Sequence, residues 1–301
     1  MKEVKTLKDV PEEKFIVGGS AACQGCGAVL GLKLTLKALG KKTIIVNSSG
    51  CMTLLPVYPY TPFKVPWIHV AIENGGAVAS GICRALKMKG RTGVNVVVYA
   101  GDGATYDIGF QALSGALERG DNFIYVCYNN ESFGNTGVQR SSATPYGAYT
   151  TTTPPGKNSH VGNPKQRKPL NKIVAAHGIP YVATASVAYP IDYIRKLQKA
   201  SKIKGPKFIN LLSPCQPGWG FDTYNTIDVG KLAVDTGFWP LYEIENGKFR
   251  LTMNPGKLKP VEEFLKTQVR FKHLQKKDIM LIEQDIKNKW RKLLKGNFWE
   301  S

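Results

Sequence analysis

Tyr99-Ala100-Gly101-Asp102-Gly103-Ala104-Thr105, preceded by the apolar run Val94-Asn95-Val96-Val97-Val98, decides how this chain folds. A strand that is apolar at nearly every position, and not at alternate ones, is buried on both faces, as in a parallel sheet covered by helices. Ligands of such sheets bind beyond the carboxyl ends of the strands, where Gly101-Asp102-Gly103 falls. The glycines let backbone come close to a ligand, Asp102 offers a hard oxygen to a cation, and Ala104 and Thr105, which lead into a helical pattern, are expected to line the same cofactor site. The next apolar strand ends in Asn129-Asn130-Glu131-Ser132, which puts Asn130 28 residues after Asp102. At adjacent strand ends the two can share one Mg²⁺ whose remaining positions go to diphosphate oxygens and water.

Outward from this stretch, short β-branched runs alternate with helical patterns, which indicates an α/β fold: a mostly parallel sheet with helices on both faces. Strands are expected at 43–46, 68–71, 94–99, 123–128, 181–185 and 207–211, and helices at 27–39, 75–88, 108–118, 170–177 and 190–201. Residues 132–169 break the rhythm with a long stretch dense in Gly, Ser, Thr and Pro. A loop of that length in a compact domain is usually functional or disordered, and its specific aromatic and Thr content favours function. Beyond residue 238 the pattern changes to a hairpin around Asn246-Gly247 and then a charged amphipathic helix at 278–294. Residues 1–230 are therefore expected to form the α/β domain, and 231–301 a C-terminal extension that contacts another subunit.

With 301 residues, 43% of them apolar, the chain can bury a sizeable core. Neither a signal-peptide core near the N-terminus nor a run of membrane-spanning length is present, so a cytoplasmic protein with no membrane contact is expected. The net charge of +19 is spread out: residues from 257 onward carry +6 and the first 256 carry +13. With no basic tail, zinc-finger spacing or RNA-recognition signature, no nucleic-acid partner is expected. A positive surface also suits an acidic protein partner.

Four of the six cysteines lie at expected element ends. Cys23 and Cys26 form a Cys-x-x-Cys before a helix, Cys51 follows a strand in Ser49-Gly50-Cys51, and Cys215 follows the last sheet strand in Pro214-Cys215-Gln216-Pro217. Cys83 and Cys127 sit inside a helix and a strand pattern and read as small buried residues. Four convergent thiolates suit zinc or a 4Fe-4S cluster. Structural zinc usually takes two close pairs, whereas 164 residues separate Cys51 from Cys215, which favours iron–sulfur. A thioredoxin-like role for Cys23 and Cys26 would leave Cys51 and Cys215 unexplained.

The Gly-Asp-Gly and Asn pair resembles the diphosphate motif of thiamine-diphosphate enzymes. Together with Cys23-Gln24-Gly25-Cys26-Gly27, Asn47-Ser48-Ser49-Gly50-Cys51, Tyr58-Pro59-Tyr60, the run 107–115 and Asn135-Thr136-Gly137-Val138-Gln139-Arg140-Ser141-Ser142, it resembles the β subunits of 2-oxoacid:ferredoxin oxidoreductases, the pyruvate (pyruvate synthase) branch in particular, across essentially the whole chain. The resemblance implies Mg²⁺ ligation by Asp102, the side chain of Asn130 and the carbonyl of Ser132. It implies 4Fe-4S ligation by Cys23, Cys26, Cys51 and Cys215, with Cys51 also beside the thiamine and Asn135 beside the substrate. Some relatives carry Thr where Asn130 stands, and either side chain can donate an oxygen. The implied reaction is reversible oxidative decarboxylation of pyruvate with coenzyme A to acetyl-CoA and CO2, electrons passing through the cluster to ferredoxin. The implied partners are α, γ and δ subunits or fused equivalents, the α subunit supplying the Glu that activates the thiamine.

Two other classes compete. A non-redox thiamine decarboxylase would share the diphosphate motif but has no use for four cysteines, and a zinc-bearing nucleic-acid-binding protein would use the cysteines and charge but not that motif. Branched-chain 2-oxoacid relatives share nearly all the motifs, so substrate choice stays open. His69, His160, His177 and His273 show no ligand spacing and read as structural or surface residues. Arg140, Lys165 and Arg167, in a stretch with six Lys/Arg and no acid between 132 and 191, are candidates for facing an anionic partner.

Overall fold

A computed structural model describes residues 4–157 and 159–299. In chain order the principal elements are α1 (Gly27–Leu39), β1 (Thr43–Ser48), β2 (Trp67–Val70), α2 (Gly75–Met88), β3 (Asn95–Gly101), a π-helical turn (Gly103–Ile108), α3 (Phe110–Glu118), β4 (Ile124–Asn129), α4 (Leu170–Ala175), β5 (Tyr181–Ser186), α5 (Pro190–Lys202), β6 (Lys207–Leu212), α6 (Gln216–Trp219), α7 (Thr226–Asp235), β7 (Tyr242–Glu245), β8 (Lys248–Leu251), α8 (Val261–Leu265) and α9 (Lys276–Leu294).

The eight strands form one sheet in the order β2-β1-β3-β4-β6-β5-β7-β8. The first six are parallel to their neighbours; β7 pairs antiparallel with β5, and β8 antiparallel with β7. Side chains alternate between two cores. Ile45, Val97, Tyr99 and Ile209 pack under α1 and α5 on one face, while Val46, Val98, Tyr125 and Phe208 pack with residues of α3, α4 and α9 on the other. The hairpin turns at Asn246 (φ 49°) and Gly247 (φ 77°), two left-handed residues that suit a tight type I′ connection, and so it widens the sheet.

The order of strand addition reverses at β1, which has β2 on one side and β3 on the other, all three running parallel. Such a switch point opens a crevice at the carboxyl ends of those strands. There Ser49-Gly50-Cys51 and Gly101-Asp102 emerge side by side. One local expectation is corrected here: the helix expected from residue 108 begins at Gly103 as a π-helical turn, a form that concentrates at functional sites. Among the described residues no helix is long and apolar enough to cross a membrane.

Lys207, which opens β6, is 2% exposed and donates from Nζ to Asn122 Oδ1 at 2.6 Å. Burial pulls its ammonium down from 10.5 to about 8. Between those values the unfolded chain binds more protons than the folded one, so the penalty is complete below pH 8 and fades as pH rises through 10.5. Lys207→Met is expected to stabilise the chain at pH 7 by at most about 3 kcal/mol, with the gain gone near pH 11. Denaturant titrations at several pH values check this; a benefit that grows with pH would contradict it.

Candidate functional site

A cleft of about 220 Å³ opens at the switch point, lined by Ser49, Gly50 and Cys51 after β1, Gly101, Gly103 and Ala104 after β3, and Asn130, Ser132, Phe133, Gly134 and Asn135 after β4. The stretches after β1, β3 and β4 therefore meet in one place. Gly134 sits between two of these stretches: a methyl group added there would lie 2.9 Å from Asn130 Nδ2 and 3.5 Å from Cys51 Sγ. Gly103 is crowded in the same way, since the Phe133 ring lies directly over its Cα, leaving no room for a side chain.

Asp102 is fully buried, with its carboxylate accepting from the Asn130 N–H at 3.2 Å and from the Ser141 hydroxyl. Burial pushes its carboxyl up to about 8 against the pull of those hydrogen bonds. A carboxylate so desolvated needs a cation to hold its charge. Asn130 Oδ1 accepts from the Ser132 N–H at 3.3 Å, and the buried Ser132 Oγ has no hydrogen-bond partner. These oxygens, crowded around glycines that admit close backbone approach, fit a divalent cation carrying a diphosphate. Thr105 is turned away: its hydroxyl donates to the Gly101 carbonyl at 2.7 Å and faces Tyr125. Asn135 is exposed at the lip of the cleft.

The Cys-x-x-Cys loop is tied to the segment that carries Cys215. Gly27 N–H donates to the Pro214 carbonyl at 3.3 Å, Gln216 Nε2 donates to the Gln24 carbonyl, and Thr226 Oγ1 donates to the Gly25 carbonyl at 2.6 Å. Burial raises the Cys26 thiol and pushes those of Cys51 and Cys215 up to about 12. Negative charge on Cys23 and Cys26 adds to the rise at both Cys51 and Cys215, and Asp102 adds to it at Cys51. The charges of Cys23 and Cys26 thus reach both Cys51 and Cys215, and the softness of thiols suits iron–sulfur chemistry. Among the described residues no three His, Cys, Asp or Glu side chains stand in metal-ligating geometry. Cys127 is fully buried, whereas Cys83 is half-buried with its thiol against the Asn122 carbonyl.

Sequence reasoning missed a buried ionic cluster directly behind the cleft. Glu131, between Asn130 and Ser132, pairs with Arg167 and with Arg270, and Trp219 donates from Nε1 to the Asn130 carbonyl at 2.8 Å. Nothing in the sequence marks Arg270 or Trp219 as neighbours of Asn130. Arg167, read as a candidate for facing an anionic partner, instead turns inward to Glu131, while Arg140 donates to Asn163 Oδ1 at 3.0 Å and Lys165 is exposed. The histidines make ordinary contacts: His69 with Ser49 at 2.7 Å, His177 with Ser114, His160 with Asp278 and His273 with the Val161 carbonyl.

Comparison with known proteins adds the following. A family model for the C-terminal, thiamine pyrophosphate-binding domain of thiamine pyrophosphate enzymes matches residues 48–211. Pyruvate synthase subunit PorB of Methanothermobacter thermautotrophicus is 55% identical over 278 residues, covering 92% of this chain and 96% of that protein. Ketoisovalerate oxidoreductase subunit VorB of Pyrococcus furiosus is 50% identical over 300 residues, covering 97% and 96%. Among solved structures, a 2-oxoglutarate:ferredoxin oxidoreductase from Magnetococcus marinus superposes with a TM-score of 0.57 at 24% identity over 75% of each chain, a likeness of fold.

Proposed function

Because this chain belongs to the family of thiamine-diphosphate-dependent 2-oxoacid:ferredoxin oxidoreductase β subunits, we propose that it is the subunit that holds thiamine diphosphate and a 4Fe-4S cluster for reversible oxidation of pyruvate with coenzyme A. The observation that carries this is the meeting of Cys51 and Asn130 at Gly134, which sets the sulfur rim and the cation rim on one cleft. When bound, thiamine diphosphate supplies nucleophilic addition to a 2-oxo carbon and an electron sink, and the cluster accepts electrons singly.

The chain's own residues do the positioning. Asp102, the Asn130 amide and the Ser132 carbonyl hold Mg²⁺, and Gly101, Gly103 and Ala104 admit the diphosphate to backbone N–H groups. Cys23, Cys26, Cys51 and Cys215 hold the cluster. Asn135, at the lip, orients the substrate, while Phe133 and Tyr128 keep water from the cleft floor. Ferredoxin accepts the electrons, and the complementary subunits complete the pocket.

Pyruvate is put first on the PorB relatives from Methanothermobacter, named for pyruvate, at 55% and 54% identity, while VorB proteins at 50% stand above the 46% of the Pyrococcus furiosus PorB. The second reading, 2-oxoisovalerate, rests on that 50% identity over 97% of the chain. A panel of 2-oxoacids on the assembled complex is expected to give kcat/KM for pyruvate at least about tenfold above that for 2-oxoisovalerate, the scale that added methylenes command. The reverse order would transfer the assignment to branched acids. The chain expressed without its partners is expected to show no pyruvate oxidation, and turnover by the lone chain would contradict the shared-site proposal.

A further inference from the structure

Glu131 is 1% exposed and holds φ 64°, a left-handed conformation that a side chain of this kind rarely adopts. Such strain persists only where surroundings over-determine it, and it clusters at functional sites. The surroundings here are specific. Arg270, 3% exposed, brings Nη2 to 2.7 Å from Glu131 Oε2, a buried ion pair. Arg167 reaches Oε1 from the long loop, and Thr144 donates to the Glu131 carbonyl at 2.7 Å.

The guanidinium of Arg270 stacks 3.9 Å from the centroid of Trp219, whose Nε1 donates to the Asn130 carbonyl. Trp219 also donates its backbone N–H to the Cys215 carbonyl at 2.8 Å. One chain of contacts thus runs from the backbone between Asn130 and Ser132 through Glu131, Arg270 and Trp219 to the turn carrying Cys215. As a plain stability device this is a poor choice, because a buried ion pair rarely outperforms apolar packing of the same volume. As a means of fixing backbone atoms it is well made, since charged, planar and hydrogen-bonded groups have few alternative arrangements.

We propose that Glu131, Arg270 and Trp219 form a positioning unit that holds the Asn130–Ser132 backbone so that the Asn130 amide and Ser132 carbonyl reach the same cation as Asp102, and that joins this backbone to the Cys215 turn. The inference rests on the functional reading above and extends it to residues that touch neither cation nor cluster. Residues of this kind behind metal ligands typically govern affinity by about 10- to 100-fold.

The test is calorimetric titration of Mg²⁺ and thiamine diphosphate into the assembled complex, with thermal melting of each variant before ligand is added. Glu131→Gln, which keeps the shape and removes the charge, is expected to weaken binding at least about tenfold. Trp219→Phe keeps a ring against Arg270 but loses the N–H to Asn130 and part of the indole's buried packing against Phe264, so a loss of about fivefold in affinity is expected on top of a lowered melting temperature. A merely structural role would lower the melting temperature and leave the affinity of the folded protein intact. If both variants bind within about twofold of wild type, the positioning unit is refuted; should Glu131→Gln fail to assemble, Trp219→Phe decides alone. Wild-type complex that binds no Mg²⁺ and thiamine diphosphate refutes the functional reading instead, and the unit falls with it.

Discussion

Asp102→Asn should leave the assembled complex folded, raise the stability of the cofactor-free protein, and weaken binding of Mg²⁺ with thiamine diphosphate at least about a hundredfold, taking turnover down with it. The opposite signs follow from one cause. The Asp102 carboxyl is fully buried, and burial drives it up to about 8. Among the main influences on it, Glu131 is an anion that raises it further, whereas the groups that lower it are hydrogen-bond donors. Without a cation, keeping this group ionised at neutral pH costs free energy, and an isosteric amide removes that cost. The amide oxygen can still accept from the Asn130 N–H, so the local fold has no reason to open. What is lost is the charge that balances a divalent ion. Melting curves and calorimetric titration on the same samples check both halves, and a variant that is destabilised while binding normally would contradict the assignment.

Cys215→Ser and Cys51→Ser should each abolish the broad absorbance near about 400 nm of anaerobically purified complex and reduce its bound iron, with turnover falling to the background. A serine hydroxyl is a harder, far less acidic donor than a thiol, so it cannot replace a thiolate toward iron. Cys215 lies on the segment bonded to the Cys-x-x-Cys loop, and Cys51 lines the cleft beside Asn130. On the proposed ligand set, either substitution removes one of the four thiolates that would hold the cluster. Cys83→Ser is the matching control, because Cys83 lies half-buried in α2 with its thiol against the Asn122 carbonyl, and its spectrum should equal that of wild type. Iron content and visible spectra suffice; unchanged colour in Cys215→Ser would remove Cys215 from the ligand set.

Glu131 shows where sequence reasoning stops. Its neighbours Asn130 and Ser132 belong to a local motif at a strand end, legible because a strand, a turn and a helix follow one another within a few residues. Arg270 stands 139 residues further on in an unremarkable Lys- and Arg-rich stretch. No periodicity links it to Glu131, and only the three-dimensional path through Trp219 does. Arg167 makes the same point in reverse: read as a free cation on a basic loop, it is committed to a buried carboxylate.

Helices Gly27–Leu39 and Gly75–Met88, the six parallel strands and the hairpin at Asn246-Gly247 were determined by the sequence alone, because burial on one face or two imprints a period on neighbouring residues. So was the chemistry of the strand ends, since Gly-Asp-Gly and the cysteines announce their donor atoms by type. The order of the strands, the apposition of Cys51 with Asn130 and of the Cys-x-x-Cys loop with Pro214, and the clamp on Glu131 were decided only by the tertiary structure. Those contacts join residues tens to hundreds of positions apart, and which distant pairs meet depends on how all the strands share one sheet and satisfy their buried polar groups together, a competition that no local pattern records.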